Sequence, residues 1–72
     1  MKVYPLTFEG AFRAMMYGNV VANSAIPEER YREHDAHFQS RIVGCRWRPM
    51  VLVEEEIYAG WRIVPTKGHP NA

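Results

Sequence analysis

A single cysteine, Cys45, excludes any disulfide within the chain, although 72 residues is short enough to want one. Domains below roughly 70–80 residues usually add a disulfide, a metal or a partner to a small core. Doing without disulfides suits a reducing compartment. Long apolar runs are missing as well. The run Met50-Val51-Leu52-Val53 falls far short of the roughly 20 residues that span a bilayer. No apolar segment of about 7–15 residues follows Lys2, so Met1-Lys2-Val3-Tyr4-Pro5 does not read as a secretory leader. The expected location is the cytoplasm, with no membrane contact. Neither a G-x-G-x-x-G nor a Walker-type loop is present. Charge of one sign is scarce: nine basic and eight acidic side chains leave +1, and the local basic stretch is bounded by acids. Proteins that hold nucleic acid by its phosphates usually show a broader basic footprint, so specific DNA binding is not expected.

What is present reads as one small α+β domain over residues 1–65 with a flexible tail over 66–72. Phe8, Ala11, Phe12, Met15 and Met16 have the spacing of a helix with one buried stripe. Thr7 is placed as its N-cap. Glu9 favours the positive end of the helix dipole and pairs with Arg13 at i, i+4. Gly18 is placed to stop the helix with positive φ, and Val20-Val21-Ala22 follows as a short strand. Gly10, in the first turn, is either tolerated there or marks close approach by another chain. Asn23 to Pro27 reads as turn chemistry, with Pro27 placed at N1 of a short helical turn through Glu28 to Arg32; with Tyr31 its one apolar side chain, a mobile, solvated loop is expected there. Phe38–Val53 reads as a hairpin, with Gly44 at a turn or bulge. Glu54 to Ala59 reads as a helical turn led by three acids, with Ile57 and Tyr58 inward and Gly60 as its stop. Trp61–Val64 closes the sheet. The expected core is Phe8, Phe12, Met15, Val21, Ile42, Leu52, Trp61 and Ile63.

Catalytic and metal chemistry find little support. His34, His37, His69 and Cys45 include no second pair at ligand spacing. Cys45 lies in an alternating run beside Trp47 and reads as a buried thiol. Glu54-Glu55-Glu56 reads as a solvated cap. The chain is therefore expected to be no enzyme and to need no cofactor. Binding is better supported. Arg41, Arg46, Arg48 and Arg62, with Trp47 and Tyr58, combine the residue types enriched at interfaces. Arg46 and Arg48, two apart, are expected on one face of a strand. The same residues also fit a solvated face balanced by the nearby glutamates. Arg13 and Tyr17 form a second, weaker candidate contact on the helix.

The opening Phe8-Glu9-Gly10-Ala11-Phe12-Arg13-Ala14-Met15-Met16-Tyr17-Gly18-Asn19-Val20-Val21 resembles that of a widespread family of small phage proteins, F-x-x-A-x-x-x-x-x-x-G-x-x-V. Glu55-Glu56-Ile57-Tyr58-Ala59-Gly60-Trp61-Arg62-Ile63-Val64 resembles their last segment, a helical turn followed by W-x-I or W-x-V. The family includes Thoeris anti-defence proteins, so this resemblance implies sequestration of a cyclic nucleotide-type signal. In length and general outline the chain also resembles small phage regulators of host RNA polymerase, of the kind found in a Xanthomonas phage. That resemblance implies contact with the polymerase β and β′ subunits in the host cytoplasm. It further implies inhibition of initiation by sigma displacement, and antitermination with possible RNA contact near the exit channel.

Overall fold

The first helix forms where the spacing places it. In the computed structural model, which describes residues 3–65, α1 spans Phe8–Met16. The Thr7 hydroxyl accepts from Gly10 N at 3.3 Å, satisfying a donor that the first turn leaves open. Gly18 takes φ 94° past the helix end, and two bonds, Gly18 N to Met15 O and Asn19 N to Ala14 O, complete a Schellman stop. Five strands follow: β1 (Val20–Asn23), β2 (Glu29–His34), β3 (His37–Ile42), β4 (Arg48–Pro49) and β5 (Trp61–Val64), with a short helix α2 (Glu54–Tyr58) before the last. They make one antiparallel sheet in the order β4-β3-β2-β1-β5. The α+β architecture is thus the expected one. The tail expected over 66–72 lies outside the described residues.

Residues 29–34 are a central strand and not a solvated loop. Polar composition hides it. Along Glu29-Arg30-Tyr31-Arg32-Glu33-His34 the alternation is one of charge sign, with a single aromatic at the middle. The turn into β3 is hidden too. Asp35 and Ala36 both take positive φ, 52° and 64°, as a two-residue type I′ hairpin requires. Glu33 Oε2 accepts from Ala36 N at 2.7 Å and holds the turn without glycine.

The core lies between α1 and one face of the sheet. Ala11, Ala14, Met15, Val21, Tyr31 and Trp61 form it, with Leu6, Phe8, Phe38, Met50 and Leu52 against it. Trp61 packs on Phe8 at 5.8 Å and on Tyr31 at 4.8 Å between ring centroids. Three expected core residues are more open: Phe12 is 40 % exposed, Ile42 42 % and Ile63 45 %. Phe12 stacks on Phe38 at the margin of the helix layer, while Ile42 and Ile63 sit near strand ends that one short helix does not cover. Cys45 is exposed, because it lies in the loop between β3 and β4 and not in a strand.

The acidic run also departs from expectation. Glu54 and Glu55 are exposed, but Glu56 is 2 % exposed. Its carboxylate meets the Tyr31 hydroxyl, which also lies 2.7 Å from Glu29 Oε1. Glu56 Oε1 accepts from Val53 N at 3.1 Å, and Glu56 O accepts from Asn23 Nδ2 at 2.9 Å. Ile57 and Tyr58, expected inward, face solvent instead. Gly60 has no positive φ. It admits Tyr4, whose carbonyl oxygen would lie 2.8 Å from an added Cβ. A Cβ at Gly10 would meet Leu6 at 3.4 Å, so space there belongs to this chain's own lead-in.

Ala36→Gly should stabilise the protein by about 1 kcal/mol, since a Cβ in the left-handed region costs about that much; a urea melt showing no gain contradicts the turn geometry. Burial, then the hydrogen bonds to Glu56 and Glu29, raise the Tyr31 phenol far above its ordinary 10.0. The unfolded chain then sheds that proton near pH 10 while the folded one keeps it. The Tyr31 contribution is full below that pH and falls by about 1.4 kcal/mol per unit above it. Phenolate absorbance from Tyr31 should appear only with unfolding, as judged by comparison with Tyr31→Phe. Its appearance in the folded state would contradict the buried contact.

Candidate functional site

Register decides what the other face of the sheet carries. Tyr31 lies opposite Val21 and Ser40, so Glu29, Tyr31 and Glu33 share the helix side. Arg30, Arg32 and His34 therefore take the open side. Arg30 pairs across from Ala22 and from Arg41, and Ala22 pairs across from Arg62. One row thus reads Arg62, Ala22, Arg30, Arg41 across four strands. The next reads Val64, Val20, then Arg32 and Gln39 across from each other. Val20 and Ala22 are buried beneath these long side chains, whose stems cover apolar surface while the guanidinium heads stay at the top.

Among the described residues no carboxylate meets these cations. The ion pairs there are Glu9–Arg13 and His34–Asp35. Arg30 Nη1 donates to the Pro27 and Glu29 carbonyls, Arg32 Nε to Gln39 Oε1 at 3.0 Å, and Arg41 Nη1 to Cys45 O. Arg41 Nε and Arg62 Nε are buried without an acceptor. Burial, and then the charge of Arg41, lower the pKa of Arg32, with Asp35 acting the other way. Aromatic rings take the place of acids. The Trp47 ring lies 4.1 Å from the Arg32 guanidinium carbon and 4.7 Å from that of Arg41. Tyr4 lies 5.6 Å from that of Arg62. A cation over a ring keeps its charge available to an anion, because the ring supplies only a quadrupole.

The arginines and aromatics singled out in the sequence part company here. Arg41 and Arg62 share the open face with Trp47. Arg46 is exposed in the loop between β3 and β4. Arg48 pairs across from Ser40, which puts it on the helix side at the sheet edge, so it does not share a strand face with Arg46. Arg13 and Tyr17 are exposed on α1, in the layer opposite the arginine row. Tyr58 is exposed on α2, where it lines a cleft with Tyr4 and with none of the arginines. Arg30, Arg32 and Tyr4 belong to the site and were missed. The signal for the first two was the alternation of charge sign through residues 29–34; Tyr4 had none.

Other hollows are less suited to an anion. One, of about 450 Å³, is an open cleft between the start of α1 and the end of α2, lined by Tyr4, Thr7, Phe8, Glu9 and Tyr58 among others. It joins the opening and closing motifs, but its charged lining residue is Glu9. Among the described residues no group of three or more His, Cys, Asp or Glu is placed to hold a metal, and no helix is long and apolar enough to cross a membrane. No protein-family model, curated protein or solved structure matches this chain.

Unpaired like charges one strand apart repel, and salt screens them. Raising NaCl from low to moderate concentration should therefore raise the melting temperature, by the equivalent of a few tenths of a kcal/mol per close pair. Arg41→Gln should melt higher at low salt and lose most of that response. A wild-type melting point that falls with salt contradicts the unpaired cluster.

Proposed function

We propose that this chain is a non-enzymatic, phage-encoded regulator that binds host RNA polymerase in the host cytoplasm. In this reading it contacts the β and β′ subunits, inhibits initiation by displacing sigma factor, and promotes antitermination near the RNA exit channel. The supporting observation is the open sheet face, on which Arg30, Arg32, Arg41 and Arg62 stand with Trp47 and Tyr4 and, among the described residues, without a carboxylate partner. Such a face is built to hold an anionic surface. Arginine forks pair bidentately with carboxylates or phosphates. The choice of polymerase rests on the likeness in length and outline to small phage regulators. Sequestration of a cyclic nucleotide signal fits the geometry less well, because the cleft beside the two resembling motifs presents Glu9 to an anion.

A pull-down with purified polymerase core and holoenzyme, followed by transcription in vitro, tests the reading. Wild type should bind and inhibit, and binding should weaken as salt rises. Arg41→Gln/Arg62→Gln should reduce affinity by about tenfold or more, as loss of charged anchors does. No binding of wild type to either form of the enzyme would refute the assignment.

A further inference from the structure

The net charge of +1 conceals a separation of charge by face. On β2 the two acids point to the helix side, where Glu29 meets Tyr31 and Glu33 holds the turn. The two arginines and His34 point to the open side, joined there by Arg41 and Arg62. The arginine row crosses four strands, about 14 Å at the usual spacing between strands. Trp47 stands over its β3 end and Tyr4 beside its β5 end. Between arginines the floor is apolar and small, Val20 and Ala22. A hollow of about 130 Å³ opens there, lined by Gly18, Val20, Arg32, Glu33 and His34.

We infer that this open sheet face binds a single strand of nucleic acid, a few nucleotides long, by its phosphates and by base stacking. This deepens the proposed function and rests on its reading of the arginine face. Charge complementarity selects an anion. The half-buried rings of Trp47 and Tyr4 favour one that carries flat rings, since bases stack on aromatic side chains without regard to sequence. A duplex is poorly served, because reading a major groove takes a protruding helix or two-stranded ribbon, and here the cations lie on a sheet face. Three guanidiniums over about 14 Å, with Arg32 in the next row, match a short stretch of one strand. Asp35, held by His34 at the hairpin end, is the acid whose charge acts on Arg32.

The test is fluorescence anisotropy with labelled single-stranded RNA and DNA oligonucleotides of about twelve residues, and with a duplex of the same length. Wild type should bind both single strands more tightly than the duplex. With four phosphates neutralised, affinity should fall about fifty-fold between 50 and 200 mM salt. Arg41→Gln/Arg62→Gln should lose at least about tenfold, and Trp47→Ala several-fold. Arg13→Gln/Arg48→Gln removes the same charge from elsewhere and should change affinity less than about twofold. Circular dichroism of each variant checks that it is folded. Tighter binding to RNA would assign a transcript as the source of the strand, and equal binding a strand of either sugar. No binding of wild type at low salt, equal losses in the two double variants, or a preference for the duplex would overturn the inference. Binding to polymerase with no binding to the oligonucleotides would overturn this inference alone. Binding to the oligonucleotides with none to polymerase would overturn the proposed function alone.

Discussion

The contact between the Tyr31 hydroxyl and the Glu56 carboxylate governs the rest of this molecule. A buried carboxylate is costly unless its oxygens are satisfied. Here one oxygen meets the phenol and the other accepts from Val53 N. The phenol has one hydrogen to offer and two carboxylates, Glu56 and Glu29, to offer it to. The contact joins residues 25 apart in sequence and ties α2 to the central strand. Asn23 closes the arrangement from β1, donating to Glu56 O while its own carbonyl oxygen accepts from Ala25 N. A chain with no disulfide and a small core thus gains a polar lock under Trp61. Breaking one side of such a lock leaves the other unsatisfied, which costs about 1–3 kcal/mol and more for a charged group.

The lock also sets register. If Tyr31 points toward α1, its neighbours Arg30 and Arg32 must point away, because side chains alternate along a strand. Those two arginines then stand in open rows with Arg41 and Arg62, above Val20 and Ala22. Acids that would have neutralised them in a less ordered chain are turned to the other side. The basic face is therefore a consequence of where one phenol is buried. Its proposed role is to offer that unneutralised charge to an anionic partner.

Much of the framework was legible in the sequence. The apolar stripe of α1, its Thr7 cap, the Gly18 stop and the strands at Val20 and Trp61 all follow local rules that tertiary packing did not override. The central strand was not legible, because its alternation is of charge sign and its turn has Asp35-Ala36 where glycine is the usual cue. Glu56 was hidden in a run of three acids. Only the fold reveals that α2 turns the last of them under the sheet while Ile57 and Tyr58 face out. The site was half legible for the same reason. Arg41 and Arg62 stood out beside aromatic residues, whereas Arg30 and Arg32 read as solvated while β2 read as a loop.

Everything on the open face depends on β2 being held with Tyr31 inward and its arginines outward, and cross-strand proton contacts in solution NMR report that directly. Contacts should appear between Tyr31 and both Val21 and Ser40, with ring-current shifts from Trp47 on the side chains of Arg32 and Arg41. A β2 paired with Arg30 or Arg32 opposite Val21 would be slipped by one residue, placing Tyr31 on the open face and contradicting the polar lock and the basic face together.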